Sequence, residues 1–383
     1  MGRTIHILNI EHDLAIANNN SNYIPPRVCA EMDQDLGTLP LWYGSDHEIT
    51  LTTEHISPKI AEALSMNQLS MNPAEYIPIA DDSFQTWGWD KAIEKKIRSI
   101  SPDSNLPDSD IIRKLSHRRL SIELLNEHAK THGFPQELLP EEVYSIERIK
   151  DITEQRKSLL KAPLSGSGRG LWWGLSGYDF NVERWSKRTL QQQHSVIVEP
   201  IWEKTADYAI EFECKGGAVK FVGFSHFLAD PAGVYRCNLL LSDEAIERKL
   251  AQEIGKNTIQ EATEISTKFI QRQIAPYYNG YLGIDMLTGI YKGQMVLNPG
   301  VEINLRMTMG IVARLFYNKY VNEGKSGTFK TVHFKYDGEM ISHVNEMETI
   351  YPLQIENHKI TRGYLILTAY NQHTRYGIEV TID

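Results

Sequence analysis

Cysteine is scarce in this sequence: Cys29, Cys214 and Cys237 lie far apart, with no Cys-x-x-Cys spacing. That excludes a disulfide framework and a structural zinc site, and fits a reducing cytoplasmic setting. Long apolar runs are missing as well; none approaches the ~18 residues of a membrane span, so no membrane partner is expected. The first residues read as a strand rather than a signal peptide, because Asn9, Glu11, His12 and Asp13 cut the apolar run short. Basic charge is not gathered into a stripe, and the net charge of −9 argues against a nucleic-acid partner. There is no internal repeat and no low-complexity tract. What remains is an ordinary globular composition, 41% hydrophobic and 23% charged, over 383 residues. That length suits two or three domains and a sizeable core.

The most informative stretch is 159–170, Leu-Leu-Lys-Ala-Pro-Leu-Ser-Gly-Ser-Gly-Arg-Gly. An apolar strand carrying Lys161 runs straight into a loop with glycines at 166, 168 and 170. Such a loop offers main-chain N–H donors to phosphate oxygens, and the ammonium adds a point charge. It is not a P-loop, because the lysine precedes the glycines and no Gly-Lys-Ser/Thr closes the motif. The dinucleotide fingerprint would want a helix and a downstream acid. The alternative is a plain Gly/Ser surface loop beside a strand. With three glycines and no bulky anchor before Leu171, residues 165–170 are expected to behave as a lid.

Elsewhere the pattern is α/β. A strand over 4–10 ends in a polar cluster where open sheets bind ligands, making Glu11 and Asp13 site candidates; the simpler reading caps a helix with Asp13. Strands are expected at 47–53 and 76–79, a helix at 57–65, and a Pro/Ser/Asp linker at 99–109. One long helix is expected over 110–132, stopping at Gly133 ahead of Pro135, and another over 243–275. Runs at 195–202 and 207–214 read as strands, the latter turning at Gly216-Gly217 into a hairpin. A helix follows at 307–320, and strands recur at 330–336, 363–369 and 376–382. Arg236 is a candidate carboxylate clamp or an ordinary surface arginine.

In the strand around Glu302-Ile-Asn-Leu-Arg306, alternate residues share a face, so Glu302, Asn304 and Arg306 project together. A carboxylate and an amide at that spacing suit Mg²⁺, which keeps most of its positions for phosphate and water. Asp285 puts a single charge into the apolar run Tyr281–Leu287, a costly placement unless it is paired or metal-bound.

Taken in order, a lysine strand before a glycine loop, a Glu-bearing hinge, an Asp on a strand and Glu-x-Asn-x-Arg resemble the ATP-grasp superfamily over 110–320. The resemblance implies an α/β (α+β) ATP-grasp fold: a pre-grasp α/β domain at 1–105, the grasp at 106–325 and a β-rich extension at 326–383 packing on it. It implies ATP bound by Lys161 and the loop Ser165, Gly166, Ser167, Gly168, Arg169 and Gly170, with Glu199, Ile201 and Trp202 at the adenine hinge and Asp207 on ribose or metal. Asp285, Glu302 and Asn304 would hold Mg²⁺, and Arg306 with Lys161 would steady the transferred phosphoryl group. The family's first basic residue falls among Lys114, Arg118 and Arg119, and the arginine some ligases carry before the metal Asp is Gly283 here. The expected activity is a ligase that makes an acylphosphate from a small carboxylate for attack by an amine or similar nucleophile, working as a homodimer in the cytoplasm. The alternatives are a small-molecule kinase on the same fold and a nucleotide-binding protein without turnover.

Overall fold

The computed structural model describes residues 2–132, 134–166, 168, 170–230 and 233–383. Three sheets organise the chain. The first is parallel, in the order Leu69–Met71, Ile49–Leu51, Thr4–Ile7, Ser83–Thr86. The strand expected at 76–79 does not form: Pro73 opens a single 3₁₀ turn, and Ile77 and Ile79 are exposed, so the segment has no buried face to pair.

The second sheet is antiparallel, ordered Glu141–Val143, Val196–Pro200, Ser158–Lys161, Leu171–Gly174. Helices Ile146–Gln155 and Phe180–Gln193 cover it around Ile149, Leu160, Val182 and Val198. The strand Ser158–Lys161 and its neighbour Leu171–Gly174 form a hairpin whose loop is the glycine-rich segment.

The third sheet has nine antiparallel strands. From one edge they run Gln294–Asn304, Gly280–Tyr291, Glu203–Lys215, Ala218–Ala229, Tyr235–Leu240, Gly327–His333, Tyr376–Ile382, Lys359–Ile366 and Gln354–Glu356. The tail strands thus continue this sheet. A helix at Glu339–Ile350 stands where no helix is expected, with Met340 and Val344 buried and Met347 packed against them at helical spacing.

Two expected long helices are each broken in two. Residues 110–132 divide into Ser109–Leu115 and Arg119–His132, and the break leaves Arg118 between them. Residues 243–275 divide into Asp243–Ile254 and Lys256–Gln273, because Gly255 takes a φ of 84°, which ends a helix. Tyr208, Ile210 and Phe212 face this second pair of helices in the main core with Ile246, Leu250 and Ile259. A second core joins the first unit to the tail, with Trp42 packed among Phe316, Tyr320, Ile378 and Val380 and its indole N–H donated to the Leu367 carbonyl at 2.5 Å.

Candidate functional site

The antiparallel register sets Asp285 directly opposite Glu302, and Gly283 opposite Asn304. On the next strand Ala209 pairs with Asp285 and Glu211 with Gly283. Because side chains alternate between faces, Asp207, Glu211, Asp285, Glu302 and Asn304 all stand on one face of the sheet, opposite the apolar Tyr208, Ile210 and Phe212. Burial, then the Glu302 charge beside it, pushes the Asp285 carboxyl up to about 7, with Asn304 bonding to it and Arg306 pulling the other way. Two carboxylates and an amide fit a hard cation that keeps water and phosphate in its remaining positions. Among the described residues, no cluster of three or more His, Cys, Asp or Glu forms a self-contained metal cage. Asp207 is paired with Lys204 at 2.7 Å.

Lys161 ends its strand only 4% exposed, with Nζ 2.7 Å from Glu199 Oε1. Glu199 lies on Val196–Pro200, and the chain then passes through Ile201 and Trp202 into the first long strand of the nine-stranded sheet. These hinge residues therefore connect the two antiparallel sheets. Ile201 N–H donates to the Lys157 carbonyl at 3.3 Å, and the Trp202 ring packs with Phe134 and Leu138.

Of the three basic residues left open by the sequence, Arg118 enters the site. It is 5% exposed and donates to the Ala162 carbonyl, to Ser165 Oγ at 2.6 Å, to the Ser165 carbonyl at 3.0 Å and to Glu302 Oε1 at 2.7 Å. Arg119 instead bonds Glu142, and Lys114 is exposed. Arg118 sits at the helix break, so its backbone turns the side chain inward, and no helical periodicity could have singled it out. It also corrects the expectation of a loop with no anchor before Leu171. Ser165 is held by Arg118, and Leu164 is held through both main-chain groups by the Gln193 amide at 2.8 and 3.1 Å. Gly168 and Gly170 take φ of 72° and 67°, which glycine alone adopts cheaply. Ser167 and Arg169, expected to contact phosphate, lie outside the described residues, as does the helix stop at Gly133.

Arg306 makes a two-pronged ion pair with Asp13, Nε to Oδ1 at 2.7 Å and Nη2 to Oδ2 at 3.0 Å. Asp13 is therefore no helix cap. The capping position of His12–Asn18 belongs to Glu11, which makes no side-chain cap bond, and Asp13 in the first turn reaches across to the last strand of the site. The glycine loop rests on this pair, since a Cβ on Gly166 would run into the Asp13 carboxylate. His12, Asp13, Ile16, Ser165, Glu302, Asn304 and Arg306 line one cleft, and Glu11 is not among its lining residues. Arg236 is exposed and bonds Asp230 at 2.8 Å, the surface alternative.

Alternation puts Glu211 on the outward side of a half-buried strand, but it is 0% exposed. Its Oε1 accepts from Ser225 Oγ at 2.8 Å, and Oε2 has no partner among the described residues. Gly283 and Gly310 make room for it, since a Cβ on either would run into this carboxylate. Burial, opposed by the Ser225 bond, raises its carboxyl to about 8. The Glu211 carboxylate thus occupies the space beside Gly283.

These groups set a pH dependence. Asp285 at about 7, Glu11 at about 7 and Glu211 at about 8 hold protons in the folded chain that the unfolded chain has released. Their contribution to stability is present at low pH and lost as pH rises through those values. His117 and His226, both lowered to about 4, favour the fold increasingly up to their ordinary value near 6.5 and then stop changing. Between pH 6.5 and 8.5 the acids act alone. The melting temperature is expected to fall by several degrees across that window. A melting temperature that rises with pH there would contradict the burial of these carboxyls.

No protein-family model and no curated protein matches the chain. Solved structures do. Biotin carboxylase of Campylobacter jejuni superposes with a TM-score of 0.54 at 12% identity, over 100% of this chain and 87% of that one. N5-carboxyaminoimidazole synthetase of Staphylococcus aureus gives 0.54 at 10% identity, over 100% and 94%. The biotin carboxylase domain of 2-oxoglutarate carboxylase from Hydrogenobacter thermophilus gives 0.53 at 10%, over 100% and 86%. At such identities the likeness speaks for the fold alone: this chain shares the fold of those carboxylase and synthetase structures.

Proposed function

We propose that the protein is a Mg-ATP-dependent ligase that activates a small carboxylate as an acylphosphate for attack by an amine or similar nucleophile. The observation that carries this reading is the carboxylate pair Asp285–Glu302, set opposite one another with Asn304 alongside and with Arg118 and Arg306 at its flanks. Asp285, Glu302 and Asn304 would hold Mg²⁺, which when bound neutralises charge on the ATP phosphates. Lys161, Arg118 and the amides of the loop 165–170 would hold the phosphates, with Glu199, Ile201 and Trp202 at the adenine and Asp207 at the ribose or metal. Arg306 would meet charge developing on the transferred phosphoryl group. The solved H. thermophilus domain holds MgADP, ADP and bicarbonate, in keeping with this assignment.

The division 1–105, 106–325 and 326–383, a homodimer and a cytoplasmic setting belong to the same proposal. No helix among the described residues is long and apolar enough to cross a membrane.

Incubation with ATP, Mg²⁺ and pools of carboxylates and amines tests the reading. ADP release requiring both substrates is expected; release with one alone would mean a kinase, and none at all a binding protein. Lys161→Met should weaken ATP binding about 10- to 100-fold by calorimetry, the loss of one charge-assisted bond. Unchanged affinity would remove Lys161 from the site.

A further inference from the structure

The first turn of the helix His12–Asn18 brings a second polar group into the cleft beside Asp13. His12 is 2% exposed, and its Nδ1 lies 3.2 Å from Asp90 Oδ2. Asp90 is itself fixed. Its Oδ1 accepts from the N–H groups of Ala92 and Ile93 at 2.8 and 3.0 Å, capping Lys91–Ile100, and its Oδ2 also accepts from Asn9 Nδ2 at 3.2 Å. A carboxylate can only accept, so in the neutral ring the proton sits on Nδ1 and the Nε2 lone pair is free. Nε2 has no hydrogen-bond partner among the described residues. The ring needs Gly88 beneath it, because a Cβ there would collide with the imidazole. The charged and polar groups around it are Asp90, Asn9, Asp13 and, through Asp13, Arg306.

We propose that His12, oriented by Asp90, is the general base that takes the proton from the amine nucleophile in this cleft. The inference rests on the ligase reading and deepens it, because it assigns the nucleophile to the class of amines that must lose a proton to react. The nitrogen lone pair forms the C–N bond to the acyl carbon, and one N–H proton passes to Nε2. The C–O bond to phosphate breaks, its electron pair leaving with inorganic phosphate, and His12 returns the proton to solvent. His12 is then a catalytic residue and Asp90 a positioning residue.

Acylphosphate formation and amine attack are separable with two nucleophiles. Hydroxylamine is largely unprotonated at neutral pH and needs little help from a base, whereas methylamine is almost wholly protonated. The protein is given Mg-ATP and a pool of acetate, succinate, aspartate and glutamate, and hydroxamate and N-methylamide are measured. His12→Gln should lower amide formation about 100-fold, the usual worth of a general base, and hydroxamate formation far less. Asp90→Asn keeps the helix cap but turns a donor toward Nδ1, forcing the proton onto Nε2. It should lose amide formation in kcat rather than KM. Equal loss of both products in His12→Gln would overturn the proposal. Should wild type form neither product, the ligase reading fails, and nitrogen NMR of the histidines decides about the base separately. A proton on Nδ1 with Nε2 bare and shifting on addition of methylamine supports it, and a proton on Nε2, or no shift, overturns it.

Discussion

Glu302→Gln is expected to lower turnover about 10²- to 10³-fold, the scale of losing one group that organises transition-state charge, while ATP binding without metal weakens only modestly. The substitution keeps the shape and the acceptor oxygen that Arg118 Nη2 reaches at 2.7 Å. What it removes is the charge facing Asp285. Burial and that charge together hold the Asp285 carboxyl up to about 7, so in the variant Asp285 should ionise at lower pH. If the pair holds Mg²⁺ as proposed, metal with nucleotide relieves the repulsion in wild type, so each should bind more tightly when the other is present. Calorimetry of ATP binding with and without Mg²⁺ reads this coupling, which the variant should lose. A wild type with no metal dependence, or a variant that keeps it, would take the metal away from this pair.

The parts of the site that are legible in the sequence are those written in a strand's period. Glu302, Asn304 and Arg306 follow from alternation along Gln294–Asn304 and just beyond it, and Asp285 from a lone charge in an apolar run. Lys161 is legible because a strand and three glycines bracket it. Arg118 is not: it lies in a break of helix that neither glycine nor proline announces, and only its bonds to Ala162, Ser165 and Glu302 distinguish it from Lys114 and Arg119. Asp13 is hidden for another reason, since an acid ahead of an apolar helical turn caps helices far more often than it crosses to residue 306. Its position at the carboxyl end of the first parallel strand is the signal on the other side. Glu211 alternates with apolar residues as a solvent-facing side chain would, and its burial depends on glycines at 283 and 310, remote in sequence. The fold is legible in the same uneven way. Strands with strong alternation stand where expected, while Gly255 lies inside a helical period that runs on across it, and the helix Glu339–Ile350 does carry a legible stripe, Met340, Val344 and Met347, between the alternating segments of the tail.

Lys161, Arg118 and Arg306 are each matched by a carboxylate of the chain: Lys161 by Glu199, Arg118 by Glu302 and Arg306 by Asp13. On the proposed reading a triphosphate must compete with those partners, and the Arg306 pair tests that exchange most directly. Burial alone would raise the Asp13 carboxyl, but the Arg306 charge and its hydrogen bonds carry it below its ordinary value, so the two groups hold one another in their charged forms. Arg306→Ala leaves that carboxylate beneath the glycine loop without its ion-pair partner, and should cost about 2–4 kcal/mol in urea unfolding, as broken semi-buried pairs do. Asp13→Asn in the same chain removes the stranded charge and should restore most of the stability. Turnover separates the two roles of Arg306. If the arginine meets charge on the transferred phosphoryl group, the double variant is stable yet still slowed about 10³-fold or more, the usual worth of such an arginine. If turnover returns with stability, Arg306 serves only to tie the first parallel sheet to the nine-stranded one, and charge on the phosphoryl group must be met by Arg118 and Lys161 alone.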